Sequence, residues 1–165
     1  MREAQQTASM GETGRRDSIP LRSVAGIAME GGKLFIARRI AGGSQGGKWE
    51  FPGGKTEEGE SDQDAMIREY QEEFSVPVRV GPLLGSASFE HRGLTRTLNA
   101  YRIYFLKTDF KLAEHTEWRW AGIEEIEKLD FVPSDSRLLP ALKAYGKGDP
   151  GIQGLEFCAG NTPQG

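Results

Sequence analysis

Three glutamates, Glu69, Glu72 and Glu73, are crowded near the end of residues 61–74, a segment with helical periodicity. Like charges at offsets of three and four residues destabilise a helix by about 0.2–0.5 kcal/mol per pair. Negative charge near a helix C-terminus also opposes the helix dipole. A divalent cation would reverse both effects, because hard ions such as Mg²⁺ prefer carboxylate oxygens and keep further positions for substrate phosphates. The competing interpretation is a solvated acidic face, the usual explanation of an isolated EYQEE run.

The rest of this segment predicts an ordinary amphipathic helix. Ser61 is a suitable N-cap, and Asp62 and Asp64 follow in the first turn, where the dipole favours anions. Helical spacing predicts one buried apolar face, which comprises Met66, Ile67, Tyr70 and Phe74. The three glutamates project from a different face, so a single ion can contact all of them.

The residues around the glutamates form a longer pattern. From Gly54 the sequence runs Gly, five residues, Glu60, seven residues and then REYQEEFSV, residues 68–76. This resembles the Nudix box, Gly-x5-Glu-x7-Arg-Glu-U-x-Glu-Glu-x-Gly-U, where U is a bulky apolar residue, and every charged position and spacing matches. Ser75 departs from it, since glycine best adopts the left-handed conformation expected after the helix. We expect the serine to cost about 1 kcal/mol of stability, with Pro77 still ending the helix.

The resemblance covers residues 23–144, and WEFPGGK, residues 49–55, is most similar to the MutT-type nucleoside triphosphate pyrophosphohydrolases of this family. It implies a bound Mg²⁺ or Mn²⁺. Arg68 would brace the glutamates with Glu60 as its partner, so that both support the ligands rather than bind the ion. The implied metal ligands are the carbonyl of Gly53 and the carboxylates of Glu69, Glu72, Glu73 and Glu114.

Glu114 enters this set through the segment KLAEHTEWRWAGI, residues 111–123. In MutT-like proteins a loop glutamate ahead of a Trp-containing strand reaches the metals, and Glu114 lies at that place, with Glu117 as the alternative. Both could equally be solvated loop acids. We expect His115 to form hydrogen bonds in the loop rather than to bind metal.

The implied reaction is hydrolysis of a canonical or oxidised (deoxy)nucleoside triphosphate to a nucleoside monophosphate and pyrophosphate. Metal ions would orient the phosphates and lower the pKa of the attacking water, while a carboxylate takes the proton as general base. Arg39 and Lys55 would face the phosphate chain. The implied catalytic residues are Glu69, Glu72, Glu114 and Arg68, with the base left open between Glu69 and Glu114 or Glu117.

A second segment concerns the nucleobase. FVPSDSRLL, residues 131–139, resembles the MutT-type segment that enters the base pocket, with Asp135 where the guanine-specific prototype has asparagine. A carboxylate accepts two hydrogen bonds and therefore suits adjacent donors of guanine or the amino group of cytosine. Alternatively, Asp135 joins Ser134 in capping the following helix. Further candidates for contact with base or ribose, each of which could instead be a surface or core residue, are Arg92, Arg96, Phe89, His91 and Trp120.

Two other functions remain open at this stage. One is a Nudix hydrolase of another nucleoside diphosphate derivative, namely an RNA 5′-triphosphate end, a dinucleoside polyphosphate or ADP-ribose. The other is a non-catalytic nucleotide-binding module, which would be expected to lack some of the glutamates that are present here.

The elements that must position these residues, strands mixed with a few helices, predict an α+β protein, most simply a sheet between helices. The resemblance implies a Nudix fold, an α/β/α sandwich with a mixed curved sheet between helices. A hairpin is expected around Glu30-Gly31-Gly32, followed by two glycine-rich loops around a short strand at residues 49–51. Long strands are expected at residues 78–90 and 95–107, and another at 117–123. Short helices are expected at residues 123–129 and 134–144, the second capped by Ser134.

Composition bounds the remaining possibilities. The 165 residues suit one domain, predicted at residues 21–145 between a polar N-terminal arm, 1–20, and a Gly- and Pro-rich C-terminal tail, 146–165. The net charge of -3 gives no general attraction to nucleic acid or membranes. Cys158 is the single cysteine, and neither a signal peptide nor a membrane span is apparent. We therefore expect a cytoplasmic protein with a nucleotide substrate; a homodimer is possible without residues that indicate one.

Overall fold

Seven strands and four helices make up residues 22–148, the part of the chain that the computed structural model describes. The predicted N-terminal arm and nearly all of the predicted tail lie outside the described residues, although the last helix extends past residue 146, to Gly148. In chain order the elements are β1 Arg22–Glu30, β2 Lys33–Arg39, β3 Trp49–Glu50, β4 Gly53–Lys55, α1 Asp62–Phe74, β5 Val78–His91, β6 Leu94–Phe105, β7 His115–Ala121, α2 Ile123–Ile126, α3 Pro133–Ser136 and α4 Leu139–Gly148.

The strands form one mixed sheet. Its main path runs β3-β2-β1-β6-β5, while β4 pairs with β1 and β7 pairs with β2. The β1–β6 pairing is parallel and the other strand pairings are antiparallel. The predicted hairpin is confirmed: Glu30 pairs with Lys33, and Gly31 and Gly32 turn the chain with φ of 55° and 74°.

Alternate residues of β1 face the two layers of helices. Val24 and Ala28 point towards α1, where Phe35 packs edge-on against Phe74 with ring centroids 5.6 Å apart. Ala25 and Ile27 point the other way, into a core that includes residues of α2 and α4. Helices therefore cover both faces, and the predicted α+β sandwich is confirmed.

Helix α1 begins and ends as its sequence indicates. The Ser61 side chain accepts a hydrogen bond from Asp64 N. Ser75 takes the left-handed conformation at φ 57°, ψ 32°, in the position where the family pattern has glycine. The predicted apolar face was wrong at Ile67, which is 44% exposed. The buried stripe follows Ala65, Met66, Tyr70 and Phe74, and Ile67 lies just beside it because each residue advances about 100° around the axis.

Asp62 does more than favour the helix dipole. Its carboxylate accepts hydrogen bonds from Asn99 at 2.8 Å and Tyr101 at 2.9 Å, and Arg22 approaches it at 3.0 Å. These contacts attach the start of α1 to β1 and β6. The same arginine donates to the carbonyl of Glu60, so the loop before α1 is held as well.

Several predicted boundaries were wrong. Gly53–Lys55, expected in a loop, forms the short strand β4, and β7 begins at His115 rather than at residue 117. Helix α2 ends at Ile126, earlier than predicted. The predicted helix at residues 134–144 is two helices, α3 and α4, and a break is expected there because Pro140 lacks the N–H that would bond the carbonyl of Ser136. Among residues 22–148, no helix is both long and apolar enough to cross a membrane.

Candidate active site

Two glycines bring a tight turn under helix α1. Gly53 has a φ of 154°, and a side chain there would overlap the backbone carbonyl of Val24. A side chain at Gly54 would instead overlap the carboxylate of Glu69. The backbone of the turn therefore lies directly beside the first glutamate of the acidic cluster.

Arg68 joins this turn to the acidic residues. Its Nε and Nη2 donate to the two carboxylate oxygens of Glu60 at 2.8 and 3.0 Å, the contact expected from the family pattern. Nη1 donates to Glu69 at 2.9 Å and Glu72 at 3.3 Å, and Nη2 also reaches the carbonyl of Lys55 at 3.0 Å. The hydrogen bonds from Arg68 lower the pKa of Glu60. One guanidinium thus orients carboxylates from the loop and from two positions of the helix.

The loop after β6 brings Glu114 to the same place. Lys111 N donates to the carbonyl of Phe74 at 2.9 Å, and Ala113 N donates to the carbonyl of Glu73 at 3.0 Å. The end of α1 is therefore satisfied by this loop. Glu114 is exposed, and its carbonyl accepts from Ile40 N at 3.1 Å. Its negative charge helps to raise the pKa values of Glu69 and Glu73, so the three carboxylates are close enough to repel one another.

Glu73 is the buried member of the cluster. It is 3% exposed, and its Oε2 has no hydrogen-bond partner within residues 22–148. Burial, followed by the charges of Glu50, Glu69 and Glu114, raises its pKa to about 9. Burial also raises the pKa of Glu69 against the opposing effect of Arg68. An unpartnered buried carboxylate oxygen among other carboxylates fits a divalent cation, which would supply the missing positive charge.

A buried acid that the sequence analysis missed lies behind Glu73. Glu50 is 7% exposed; Arg39 Nη1 donates to both of its oxygens, at 3.0 and 2.9 Å, and His115 Nε2 lies 2.8 Å from Oε1. The prediction for His115 was wrong in placing it in a loop, because it begins β7 with a fully buried side chain. Glu50, Glu73 and His115 each offer one ligand atom within 4.8 Å of the others, so these buried residues could also hold a metal ion. A charged residue between Trp49 and Phe51 was the available signal, since buried acids need partners.

A cavity of about 290 Å³ is lined by the glycine turn and by the segment around Asp135. It adjoins a second cavity of about 530 Å³, with which it shares Gln45, Phe89, His91, Val132 and Ser134. The lining of the smaller cavity includes the charged residues Arg39, Glu50, Lys55 and Asp135, the turn glycines Gly53 and Gly54, and the apolar residues Phe89, Leu98 and Val132. Apolar surface with a few polar groups is typical of ligand pockets.

Asp135 is held by the backbone just before the glycine turn and by its neighbour in α3. One carboxylate oxygen accepts from Phe51 N at 2.9 Å, and the other accepts from Ser134 Oγ at 3.0 Å. The alternative in which Asp135 and Ser134 cap the helix was wrong, because the residue at the N-cap is Val132 and no side chain caps it. Burial, reinforced by the charge of Glu50, raises the pKa of Asp135 to about 7.

The structure places the other candidate residues in different environments. Phe89 and His91 line the cavities, whereas Trp120 packs against the core on the α1 side. Arg92 lies in the β5–β6 turn with a φ of 53°, and Arg96 pairs with Phe89 across these strands without lining either cavity. Glu117 pairs with Arg38 at 3.1 Å and is half exposed.

The sandwich fold and the acidic cluster above a glycine turn define a Nudix domain. Residues 20–142 match the family model described as NUDIX domain, and the chain belongs to that family, the Nudix hydrolases. Of its relatives, the CTP pyrophosphohydrolase of Escherichia coli (strain K12) is 34% identical over 127 residues, which are 77% of this chain and 94% of the relative. The putative 8-oxo-dGTP diphosphatase 2 of Mycobacterium tuberculosis (strain CDC 1551 / Oshkosh) is 34% identical over 115 residues, or 68% of this chain and 80% of the relative.

Solved structures agree with this assignment. The solution structure of the E. coli ORF135 protein superposes with a TM-score of 0.71 at 34% identity and covers 79% of this chain and 93% of that one. The crystal structure of the MutT protein from Methanosarcina mazei Go1 gives a TM-score of 0.67 at 26% identity and covers 80% of this chain and 99% of that one. The fold and family are therefore those that the sequence pattern predicted.

Proposed function

We propose that this protein hydrolyses a canonical or oxidised (deoxy)nucleoside triphosphate to the nucleoside monophosphate and pyrophosphate, with Mg²⁺ or Mn²⁺ as cofactor. The observation that carries the proposal is a cavity whose lining includes Arg39, Gly53 and Lys55 together with Phe89 and Asp135. A triphosphate bound there would have its phosphates at the glycine turn, against which Glu69 lies, and its base beside Phe89 and Asp135. The named activities of the relatives, on CTP and on 8-oxo-dGTP, support this class of substrate.

The metal would be held by residues that converge on the glycine turn. The proposed ligands are the carbonyl of Gly53 and the carboxylates of Glu69, Glu72, Glu73 and Glu114. When bound, such an ion would neutralise phosphate charge and lower the pKa of a water molecule. The unpartnered Oε2 of Glu73 supports this assignment, because leaving a buried carboxylate oxygen without a partner is costly.

The protein's own groups have distinct proposed tasks. Arg68 holds Glu69 and Glu72 in orientation, while Arg39 and Lys55 neutralise the phosphate chain. The proton of the attacking water passes to a carboxylate, either Glu69 or Glu114. Glu69 is supported by its position against Gly54 of the turn. Glu117 is a weaker candidate, because its carboxylate is engaged by Arg38.

Asp135 is proposed to select the base within this cavity. Its oxygens already accept from Phe51 N and Ser134 Oγ, which fixes the orientation of the carboxyl group. Each oxygen retains a second lone pair that can accept from a base. Both donors of guanine and the amino group of cytosine suit such an acceptor, in agreement with the activities named for the two relatives.

The test is hydrolysis of a nucleotide panel with and without Mg²⁺ or Mn²⁺. The panel should include CTP, dCTP, GTP, dGTP, 8-oxo-dGTP and 5-methyl-dCTP, with pyrophosphate and phosphate measured separately. Metal-dependent release of pyrophosphate from a small subset supports the proposal. Release from capped or triphosphate RNA, dinucleoside polyphosphate or ADP-ribose alone would move the substrate to another nucleoside diphosphate derivative. A folded protein without turnover would instead favour a binding role.

A further inference from the structure

The buried acid Glu50 has no role in the chemistry described so far, yet it is among the most fully engaged side chains near the cavity. It lies on β3 and binds Arg39 of β2 and His115 of β7, so its carboxylate joins three strands. We propose that Glu50 is a positioning residue for Arg39, holding the guanidinium so that its free N–H groups bind phosphate oxygens of the substrate. This inference rests on the proposed function, because it assumes phosphates at that end of the cavity.

The pattern of hydrogen bonds on Arg39 supports this role. Both oxygens of Glu50 accept from the same nitrogen, Nη1. Within residues 22–148 neither Nε nor Nη2 of Arg39 has a hydrogen-bond partner, and neither is a buried unsatisfied atom. Arginine–carboxylate pairs are frequently bidentate, with two nitrogens bonded in parallel. Here one nitrogen is fixed and the other donors stay available.

Exposure of the two partners points the same way. Both residues line the cavity with Gly53 and Lys55, but the Glu50 side chain is only 9% exposed whereas the Arg39 side chain is 37% exposed. The acid is therefore nearly enclosed, while its partner has more surface open to a ligand. A guanidinium fixed in advance loses less rotamer freedom when a ligand binds, which is the usual benefit of preorganisation.

His115 restrains the other side of Glu50. Its Nε2 lies 2.8 Å from Glu50 Oε1, and its ring stacks on Phe74 with centroids 5.0 Å apart and planes 17° apart. The carboxylate thus cannot rotate away from Arg39 without losing a buried contact. Because the partners come from strands far apart in sequence, the position of Arg39 depends on the register of the sheet.

A double-mutant cycle tests whether Glu50 acts through Arg39. The variants are Glu50→Gln, Arg39→Ala and the combination, measured for kcat and KM on the best nucleotide of the panel. Glutamine retains the shape of Glu50 and lacks its charge. We expect Glu50→Gln to lower kcat/KM about 10-fold and Arg39→Ala about 30-fold or more, while the double variant resembles Arg39→Ala, since groups that act as a unit are not additive.

Controls separate this role from a structural one. Thermal unfolding of each variant checks folding, and Glu125→Gln removes the charge of an exposed Glu–Arg pair that lines neither cavity. Its kcat/KM should match that of the wild type. If kcat/KM of the double variant falls by the product of the two single-variant losses, the proposal is overturned, because Glu50 would then act independently of Arg39. An unchanged kcat/KM in folded Glu50→Gln would overturn it as well.

A binding measurement distinguishes this proposal from the proposed function. Calorimetric titration with inorganic tripolyphosphate and Mg²⁺ requires no turnover, and the same cycle of variants applies. If the wild type hydrolyses no nucleoside triphosphate but Glu50→Gln weakens tripolyphosphate binding only when Arg39 is present, the positioning role stands and the proposed function fails. If Glu50→Gln weakens tripolyphosphate binding equally with Arg39 and in the Arg39→Ala variant, the positioning role is overturned, whatever the substrate.

Discussion

The carboxylate of Glu69 lies directly against the α-carbon of Gly54, in space that any side chain at residue 54 would occupy. Gly54 opens the Nudix pattern and Glu69 is its first helical glutamate, so the spacing in sequence corresponds to a direct contact in space. Glycine is needed at residue 54 because a side chain there would overlap the carboxylate of Glu69. At Gly53 the need is different, because that residue combines a φ of 154° with a close backbone carbonyl.

These two glycines predict opposite outcomes for the same substitution. Gly54→Ala should leave the free energy of unfolding nearly unchanged, because the flexible end of Glu69 can move aside. The displaced carboxylate should then weaken Mn²⁺ binding and lower kcat/KM, each by about 10-fold or more. Gly53→Ala should destabilise the fold itself, since backbone cannot move so easily. Thermal unfolding with Mn²⁺ titration checks both, and Gly122→Ala, where a side chain has room, is the control.

Arg68 should not tolerate lysine. Arg68→Lys retains the charge but cannot bond both oxygens of Glu60 while reaching Glu69 and Glu72. We expect about 1–3 kcal/mol loss in the free energy of unfolding and about 10–100-fold loss in metal affinity or activity. Chemical denaturation and Mn²⁺ titration measure the two effects. Arg79→Lys is the matched control, because Arg79 lies on β5 with its guanidinium over the ring of Tyr104. Equal behaviour of the two variants would contradict the bracing role.

Local signals carried much of the fold. The Gly31-Gly32 turn joins two strands that are adjacent in sequence, and Ser61 caps a segment with helical periodicity. Both elements therefore depend on neighbours in sequence. The break between α3 and α4 also had a local signal in Pro140, which the prediction overlooked. Ile67 was mispredicted for a different reason: it lies at the edge of the buried stripe, and only the position of the sheet decides whether such a residue faces solvent.

The support of the site could not be derived in this way. Glu50 meets His115 across 65 positions, and Asp135 meets Phe51 N across 84. Both contacts depend on the register of β2 with β3 and β7 and on the packing of α3, which residue spacing does not encode. The grouping of Glu69, Glu72 and Glu73 was predictable from their helical spacing, but the expectation that all three project away from the buried face was wrong, because Glu73 is 3% exposed. The partners of this cluster were not predictable, because separate elements supply them.

The serine at the end of α1 predicts a stabilising substitution. Ser75 holds φ at 57°, where a Cβ is unfavourable, and its side chain is exposed. Ser75→Gly should therefore raise the free energy of unfolding by about 0.5–1 kcal/mol. Ser75→Ala retains the Cβ and should change stability little. Urea denaturation of the three proteins measures the difference, and an equal shift in both variants would show that backbone conformation is not the cause.

Asp135 predicts a pH-dependent stability. Its pKa in the folded protein is about 7, above the ordinary value of 3.8. Between these values the folded state retains a proton that the unfolded chain has lost. The Asp135 contribution to the free energy of unfolding should therefore fall as pH rises through this window, by up to about 1.4 kcal/mol per pH unit, and level off above the folded pKa.

Asp135→Asn isolates this contribution. The amide oxygen can accept from Phe51 N, and the amide nitrogen can donate to Ser134 Oγ, so both contacts are retained without a titrating group. Urea denaturation from pH 4.5 to 8 should show the wild type losing stability relative to Asp135→Asn as pH rises. Asp130→Asn, at a 73% exposed carboxylate, should instead parallel the wild type. If the Asp135→Asn curve also runs parallel, Asp135 is already ionised at the acidic end of the range and a base would meet a carboxylate at every pH tested.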